Sequence, residues 1–325
     1  MIHNPQPEDS PGTLRVLSLV TTAETRFFRQ QVNGLRERGI EIDVLSVPTS
    51  KEFDYGTDAE RTITDYLRFA PMVWRASLGA YDLVHANYGL TAPPAVLQPR
   101  LPVVLSLWGT DLMGRYGELS TWCARYAEAT VVMSEEMASS LDQDVSVIPH
   151  GVDVDLFQPR SKRDTRRELG WALEGNHVLF PYPKTREVKN FDRAERVVNA
   201  AAARLGEPIT LHTVSGEPHE RMSLYHNAAD CLLLTSDREG SPNSVKEAMA
   251  CNTPVVSTDV GDVRTRLATV SPSYVRESDD GLTAALVDVL TNGEPSNGRR
   301  AAKELTPAQT ARQLESVYRA VSEHS

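Results

Sequence analysis

Two glutamates eight positions apart, Glu239 and Glu247, flank a stretch reading Gly-Ser-Pro-Asn-Ser-Val-Lys. Ser241 is of a type that caps helices and Pro242 of a type that opens them, so a helix is predicted to start there. Free N–H groups at such a start, backed by the helix dipole, favour phosphate. Glu247 then stands about six residues into the helix, roughly 9 Å along its axis. One carboxylate before the helix and one within it can hold hydroxyls on both sides of a diphosphate, while the amides of Asn243 and Ser244 face the phosphates. Val245, Ala248 and Met249 supply an apolar face that places Glu247 at its border. The pattern alone leaves a plain alternative, a loop charge at Glu239 and a solvated Glu247, because strand, turn and helix recur throughout nucleotide-binding folds. Upstream, Lys184, Arg186 and Lys189 form a short positive cluster in a chain of formal net charge -10. That cluster suits either a small anionic ligand or a solvated basic loop.

Ligands of open α/β sheets bind beyond the carboxyl ends of strands, so these residues require strands just before them. Apolar runs supply them at His177 to Pro181 and Cys231 to Thr235, with others at Ile209 to Val214 and Pro254 to Thr258. Helices are expected around Phe191 to Arg204, His219 to Ala228 and Pro242 to Cys251. The first half shows the same alternation, with strands at Leu14 to Val20, 40–47, Asp82 to Ala86, Pro102 to Leu107, Thr130 to Ser134 and Val145 to Ile148. Between the first two, Phe28, Val32 and Leu35 line one helix face, and Gly39 follows as a C-cap. The segment from Gly151 to about Asn176 is polar and poor in strands, as a connector would be. The expected architecture is two doubly wound, Rossmann-like α/β domains facing a cleft. Its divisions are a mobile tail at 1–12, an N-terminal domain at 13–155, a C-terminal domain at 156–306 and a final helix at 307–325.

Composition limits the possible partners. At 325 residues the chain suits two domains. Its acidic surplus disfavours nucleic acid, whose phosphates need clustered Lys and Arg. No run approaches the ~18 apolar residues of a membrane span, and the polar start MIHNPQPEDSPG is unlike a signal peptide, so a cytoplasmic location is expected, with peripheral membrane association at most. Cys123, Cys231 and Cys251 are odd in number and widely spaced, which points to buried free thiols. Asp153 and Asp155 have the spacing of a metal pair but sit in the interdomain segment, where a structural role is expected.

The stretch EGSPNSVKEAMAC, followed by PVV and a VG dipeptide, resembles the donor-site signature of glycosyltransferase family 4. The resemblance implies a GT-B fold with the last helix crossing back onto the first domain. It also implies retaining sugar transfer from a nucleoside-diphosphate sugar without an essential metal or other cofactor. On it, Glu239 corresponds to the glutamate near the transferred sugar and Glu247 to the one that accepts hydrogen bonds from ribose hydroxyls. Gly240, Ser241, Pro242, Asn243, Ser244 and Val245 match the connecting loop and helix start, while Asn252 stands where the family commonly has glycine. LFPYPKTREVKNF resembles the family's basic loop, in which an arginine and a lysine five positions apart meet the diphosphate. Lys184 and Lys189 hold those positions here, and Arg186 is an alternative to Lys184 because lysine lacks the planar guanidinium fork. VIPHGVDVDLFQP is similar to the family's interdomain segment and places His150 at the cleft.

The N-terminal half departs further. TTAETRFF stands where a glycine-rich loop is usual and resembles the variant of exopolysaccharide and colanic-acid type members, which makes Glu24 and Thr25 cleft candidates or a helix-capping pair. DLVHANYG resembles a His-Ala-His segment whose second histidine lies beside the transferred sugar; Asn87 holds that position, which makes it a cleft candidate, and His85 reads as a residue of the strand end. LWGTDLMG resembles a His-Gly-Thr-Asp loop with Trp108 in place of histidine; Asp111 either binds acceptor hydroxyls or caps a turn. The implied acceptor is a glycan, a lipid-linked glycan or a small molecule. Two other readings stay open: a GT-B epimerase or sugar-phosphate synthase, and an inactive GT-B binding protein, for which Asn87 and Trp108 argue.

Overall fold

The predicted apolar runs pair into two wholly parallel sheets. A computed structural model describes residues 13–49 and 61–323; the tail predicted at 1–12 lies outside the described residues. The first sheet comprises β1 (Arg15–Val20), β2 (Glu41–Ser46), β3 (Leu83–Asn87), β4 (Val103–Ser106), β5 (Ala129–Val132) and β6 (Ser146–Val147), in the order β2-β1-β3-β4-β5-β6. The second comprises β7 (Asn176–Phe180), β8 (Ile209–Thr213), β9 (Cys231–Leu234), β10 (Val255–Ser257) and β11 (Tyr274–Val275), in the order β11-β10-β9-β7-β8. In each sheet the chain builds outward on one side of its first strand and then crosses to the other. The crevices at these reversals lie between β1 and β3 and between β7 and β9. Strand β11 is an addition to the expectation; with two residues it offers no periodicity to read.

The connector contains a helix, Lys162–Leu169, packed on the helix Met222–Ala228, so it belongs to the second domain. Arg166 fixes it there: the buried guanidinium donates to Asp230 Oδ2 at 2.7 Å and to the Ala228 carbonyl at 2.9 Å. Asn252 adopts a left-handed φ of 58°, a conformation that asparagine tolerates better than most residues, which explains how it replaces glycine in that turn.

The last helix, Pro307–Glu323, returns to the first domain. Its Ala311, Leu314, Tyr318 and Val321 belong to the N-terminal core. Tyr318 Oη lies 2.6 Å from Nδ1 of the fully buried His85, whose Nε2 is 2.7 Å from Ser106 Oγ. His85 is therefore a packing residue between sheet and helix. Burial pushes its imidazole down to about 3, and that of His150 to about 3 as well. Both stay neutral in the fold while the unfolded chain protonates them near pH 6.5, about 1.4 kcal/mol per pH unit for each full proton of difference. The folded state then binds fewer protons between about pH 6.5 and 3, so stability is expected to fall as pH drops through that window. Thermal melts should show a shallower acid slope in His85→Gln than in the parent; identical slopes would refute the assignment for His85.

The two chain crossings between domains touch each other. Val152 N donates to the Leu305 carbonyl at 2.7 Å and Thr310 Oγ1 to the Pro149 carbonyl at 2.9 Å. Between them, a β-carbon on Gly151 would meet the backbone nitrogen of Pro307 at 2.3 Å. Backbone cannot move aside as a flexible side chain can. Gly151→Ala is expected to destabilise the chain by about 1–3 kcal/mol, the usual size of overpacking effects, and to expose the Thr306–Pro307 crossing to limited proteolysis. Unchanged melting and cleavage would count against this contact.

Candidate active site

The loops after β7 and β9 flank the second crevice. They bring Lys189 and Glu239, fifty residues apart in sequence, into a direct ion pair between Nζ and Oε1, with side chains 6% and 12% exposed. Ser236 Oγ donates to the same carboxylate oxygen at 2.6 Å. The ammonium also lies 4.0 Å from the centroid of the Tyr182 ring, and Tyr182 Oη is 2.6 Å from Ser244 Oγ at the start of the helix Asn243–Ala250. Burial lowers the pKa of Lys189, opposed by Glu239 and assisted by Arg186. A cation, a carboxylate and a helix start thus converge at one crevice.

Arg186 is exposed and lines the wall of the interdomain cavity, whereas the Lys184 ammonium packs over the Phe191 ring at 4.4 Å. Of the two alternatives for the second cation, Arg186 is the one whose charge reaches Lys189 and Tyr182.

The helix start departs from expectation. The first helical residue is Asn243, Pro242 takes the extended cap position, and Ser241 is no cap. Its hydroxyl instead donates to Asp262 Oδ2 at 2.7 Å and receives Lys246 Nζ at 3.1 Å. Charged partners on both sides outcompete a backbone amide. Lys246, 1% exposed, also donates to the His150 carbonyl at 2.7 Å, and burial pushes its ammonium down to about 8. The helix is buried on nearly every side, because it is wedged at the domain junction.

Glu247 points inward. Its two oxygens lie 3.2 Å from His219 Nε2 and 3.4 Å from His226 Nε2. Arg26, from the first helix of the N-terminal domain, carries the field of Glu247 at longer range and sits 3.7 Å from Asp153 and 5.6 Å from the Phe157 ring centroid. Asp153 also accepts from the amides of Asp155 and Leu156 at 3.1 and 3.0 Å, which is the turn-forming role expected of it.

Two N-terminal expectations, those for Asn87 and Asp111, resolve in favour of structure. Asn87 is fully buried, accepting from Gln31 Nε2 at 2.8 Å and donating to Ser18 Oγ at 3.0 Å. It is a core amide, not a cleft residue, because the glutamine of the neighbouring helix closes over it. Asp111, 1% exposed, accepts from the amides of Gly89, Trp108 and Gly109 at 2.8–2.9 Å and so ties two loops together; it has no face for an acceptor. Burial raises its pKa despite those bonds. Thr25 is the cap residue of the first helix but makes no capping bond, donating to the Thr22 carbonyl at 3.2 Å, so the capping box does not form. Thr25 lines the cavity and Glu24 is exposed beside it. His150 stacks on Phe27 at 4.5 Å, and its Nε2 is buried without a hydrogen-bond partner among the described residues.

The domains meet across the cleft where Trp108 and Gly109 face Gly240. A β-carbon on Gly240 would lie 2.8 Å from the Trp108 carbonyl oxygen, so glycine is what permits this approach. Beside it, Gly261 N donates to Glu136 Oε2 at 2.7 Å.

Comparison with known proteins gives the family and the fold. Residues 25–156 match the model of Glycosyltransferase Family 4, and residues 192–292 match that of Glycosyl transferases group 1. The chain belongs to the group 1, family 4 glycosyltransferases. Among relatives of this family 4 chain is TuaC of Bacillus subtilis (strain 168), named for teichuronic acid biosynthesis, 30% identical over 56% of this chain and 54% of TuaC. The chain therefore aligns with about half the length of that relative. The MMP alpha-(1->4)-mannosyltransferase of Mycolicibacterium hassiacum is 26% identical over 86% of this chain and 82% of its own. In fold, the family 4 chain matches sucrose-phosphate synthase from Thermosynechococcus elongatus at a TM-score of 0.76 with 17% identity, over 96% of this chain and all of that one. It matches Anabaena HepE, solved in complex with UDP-glucose, at 0.70 with 13% identity, over 94% of this chain and all of HepE. These likenesses establish the GT-B fold for the family 4 chain.

Sequence reading missed Arg26, Tyr182, His219, His226 and Lys246. The two histidines carry a usable signal: seven residues apart, they share one face of the helix expected at His219 to Ala228, of which His219 forms the leading 3-10 turn.

Proposed function

We propose that the chain is a retaining glycosyltransferase that moves a sugar from a nucleoside-diphosphate sugar to an acceptor hydroxyl in glycan or polysaccharide biosynthesis, in the cytoplasm and without an essential metal. The observation that carries the reading is the Lys189–Glu239 pair at the β7/β9 crevice, beside the start of the helix that holds Glu247. In the proposed reaction the bond from the anomeric carbon to the diphosphate breaks and a bond to the acceptor oxygen forms on the same face. The acceptor proton leaves with the departing phosphate oxygen. Negative charge grows on that leaving group, so fixed positive charge and oriented amides lower the barrier. Lys189 and Arg186 supply the charge, with Lys184 further out along the same loop; the amides of Asn243 and Ser244 supply the dipoles. Glu239 stands near the sugar and Glu247 takes the ribose hydroxyls. Gly240 lets this loop approach the Trp108 carbonyl, and Val245 anchors the helix in the core.

The likeness to HepE, a protein solved with UDP-glucose, supports this choice of donor class. The test is a thermal-shift series with UDP-, GDP- and ADP-sugars, since a ligand at 100 times its Kd adds about 2.7 kcal/mol. It is followed by acceptor-dependent release of nucleoside diphosphate. A stabilising nucleotide sugar with acceptor-dependent turnover and retained anomeric configuration is the expected result. Turnover of the donor without any acceptor would point to an epimerase or synthase; no shift with any of the three would remove the donor assignment.

A further inference from the structure

Lys246 stands where an apolar side chain would be the more stable choice. It is 1% exposed, and its ammonium makes no ion pair among the described residues. Taking a charge out of water without an ionic partner opposes folding, and apolar replacements of buried charges are often neutral or stabilising. Burial pushes the ammonium down to about 8, with Asp262 and Glu247 opposing the shift and Arg266 adding to it. What a lysine offers here, and a leucine does not, is a set of N–H groups that can reach two acceptors at once.

The two acceptors belong to different parts of the molecule. Side chains of a helix lean back toward its N-terminus. Lys246, the fourth residue of the helix Asn243–Ala250, therefore reaches the loop before that helix, with Nζ 3.1 Å from Ser241 Oγ. A second N–H goes to the His150 carbonyl at 2.7 Å. His150 lies on the first crossing between the domains, between Pro149, whose carbonyl accepts from Thr310 at 2.9 Å, and Val152, whose amide donates to Leu305 at 2.7 Å. Ser241 follows Glu239 and Gly240 in a loop that is confined on its other sides. Gly240 backs onto the Trp108 carbonyl, and a β-carbon on Gly261 would lie 2.4 Å from the Gly240 carbonyl oxygen. Ser241 Oγ donates onward to Asp262 Oδ2 at 2.7 Å, an oxygen that Arg266 also holds at 2.7 Å. One ammonium thus joins the crossing between domains to the loop that carries Glu239.

We propose that Lys246 is a positioning residue: through His150 and Ser241 it ties the loop of Glu239 to the interdomain crossing, so that domain orientation and the sugar end of the donor site are set together. The proposal rests on the reading of this chain as a glycosyltransferase and adds a coupling within that site. Glu247 is placed by His219 and His226, and the amides of Asn243 and Ser244 by the helix itself, so the nucleoside diphosphate end of the donor does not depend on the tie.

That division gives the test. Calorimetry on the full chain uses UDP-, GDP- and ADP-glucose with UDP, GDP and ADP as their truncated forms, and the pair that binds the parent is carried through the variants. Lys246→Met and Ser241→Ala should each weaken the nucleotide sugar about three- to tenfold, as expected when side chains fixed in advance must instead be ordered on binding. Both should keep the parent's affinity for the nucleoside diphosphate. Because the two substitutions cut one connection, the double variant should lose no more than the larger single loss. In hydrogen exchange, nucleotide sugar should slow the Val152 amide at the crossing in the parent and in neither variant. Equal losses for both ligands, additive losses, or parental protection of Val152 in the variants each overturn the proposal. Ser241 is only partly buried, and its variant leaves Lys246 on the His150 carbonyl, so Ser241→Ala decides the matter alone if Lys246→Met does not fold. A parent that binds none of the three nucleotide sugars strikes the donor reading and the proposal with it; a parent that binds while both variants match it removes the tie alone.

Discussion

Lys189→Met is expected to lower kcat by about 10²–10³, the usual effect of removing one preorganised charge or donor from a developing oxyanion. The Lys189 ammonium is committed to Glu239, packed on the Tyr182 ring and 6% exposed. A leaving diphosphate entering the crevice would meet a cation already desolvated and fixed in place, so little reorganisation is needed as charge develops. The same substitution leaves Glu239 with Ser236 as its remaining partner, in a site where stranding one member of a buried pair costs about 3–5 kcal/mol. Stability and turnover must therefore be measured together. Lys189→Arg keeps the charge and should retain the melting temperature while losing about tenfold in kcat, because the planar fork does not occupy the position of a point charge. Burial lowers the lysine's pKa, so activity should decline on the alkaline side earlier than for an exposed lysine. A stable Lys189→Met variant with parental kcat at saturating donor would remove Lys189 from the chemistry.

What sequence could convey about this site follows from how local each feature is. Strands β7 and β9 were legible because both are short buried apolar runs, and a buried parallel strand has no other composition available to it. The positions of Glu239, Glu247 and Lys189 in the fold are legible because all three lie just after such strands or within the helix that follows. Ser241 departs from its expected cap role for the opposite reason: its partner Asp262 comes from a loop twenty-one residues away, and local capping preference carries no information about it. Asn87 and Asp111 illustrate the same limit in the other domain. Each looked available for a substrate, and each is consumed by groups that tertiary packing brings in, Gln31 for one and the Gly89 amide for the other. Lys246 was hidden more deeply. In sequence it is one more lysine on a helix; only docking against the carbonyl of His150 turns it into a buried link between domains. Resemblance was firmest in the C-terminal half for a physical reason as well. A diphosphate makes the same demands on any chain that binds it, whereas the acceptor wall can change with the acceptor.

Glu247→Ala should weaken donor binding by about 10- to 100-fold, the effect of losing hydrogen bonds to a charged group worth about 1.5–3 kcal/mol. Its carboxylate is 10% exposed and set between His219 and the fully buried His226, so its position is fixed before any ligand arrives. Rigid placement matters because a hydrogen-bond acceptor that is already ordered gives up little entropy on binding. Glu247→Gln keeps the shape but replaces one accepting oxygen with a donor, and its loss should fall between those of the parent and the alanine variant. The alanine variant also removes the carboxylate facing two imidazoles and an arginine, and Arg26 then retains Asp153 as its near acid. A general electrostatic disturbance and a specific ribose contact make different predictions for truncated ligands. If Glu247 holds ribose hydroxyls, calorimetry should show the full loss with nucleoside diphosphate and almost none with inorganic pyrophosphate, which carries the same phosphates without the sugar. If instead the carboxylate merely shapes the field around the crevice, removing one negative charge should tighten pyrophosphate, since an anion is then repelled less. Parental affinity for nucleoside diphosphate, or an equal loss for both ligands, would show that the ribose lies elsewhere.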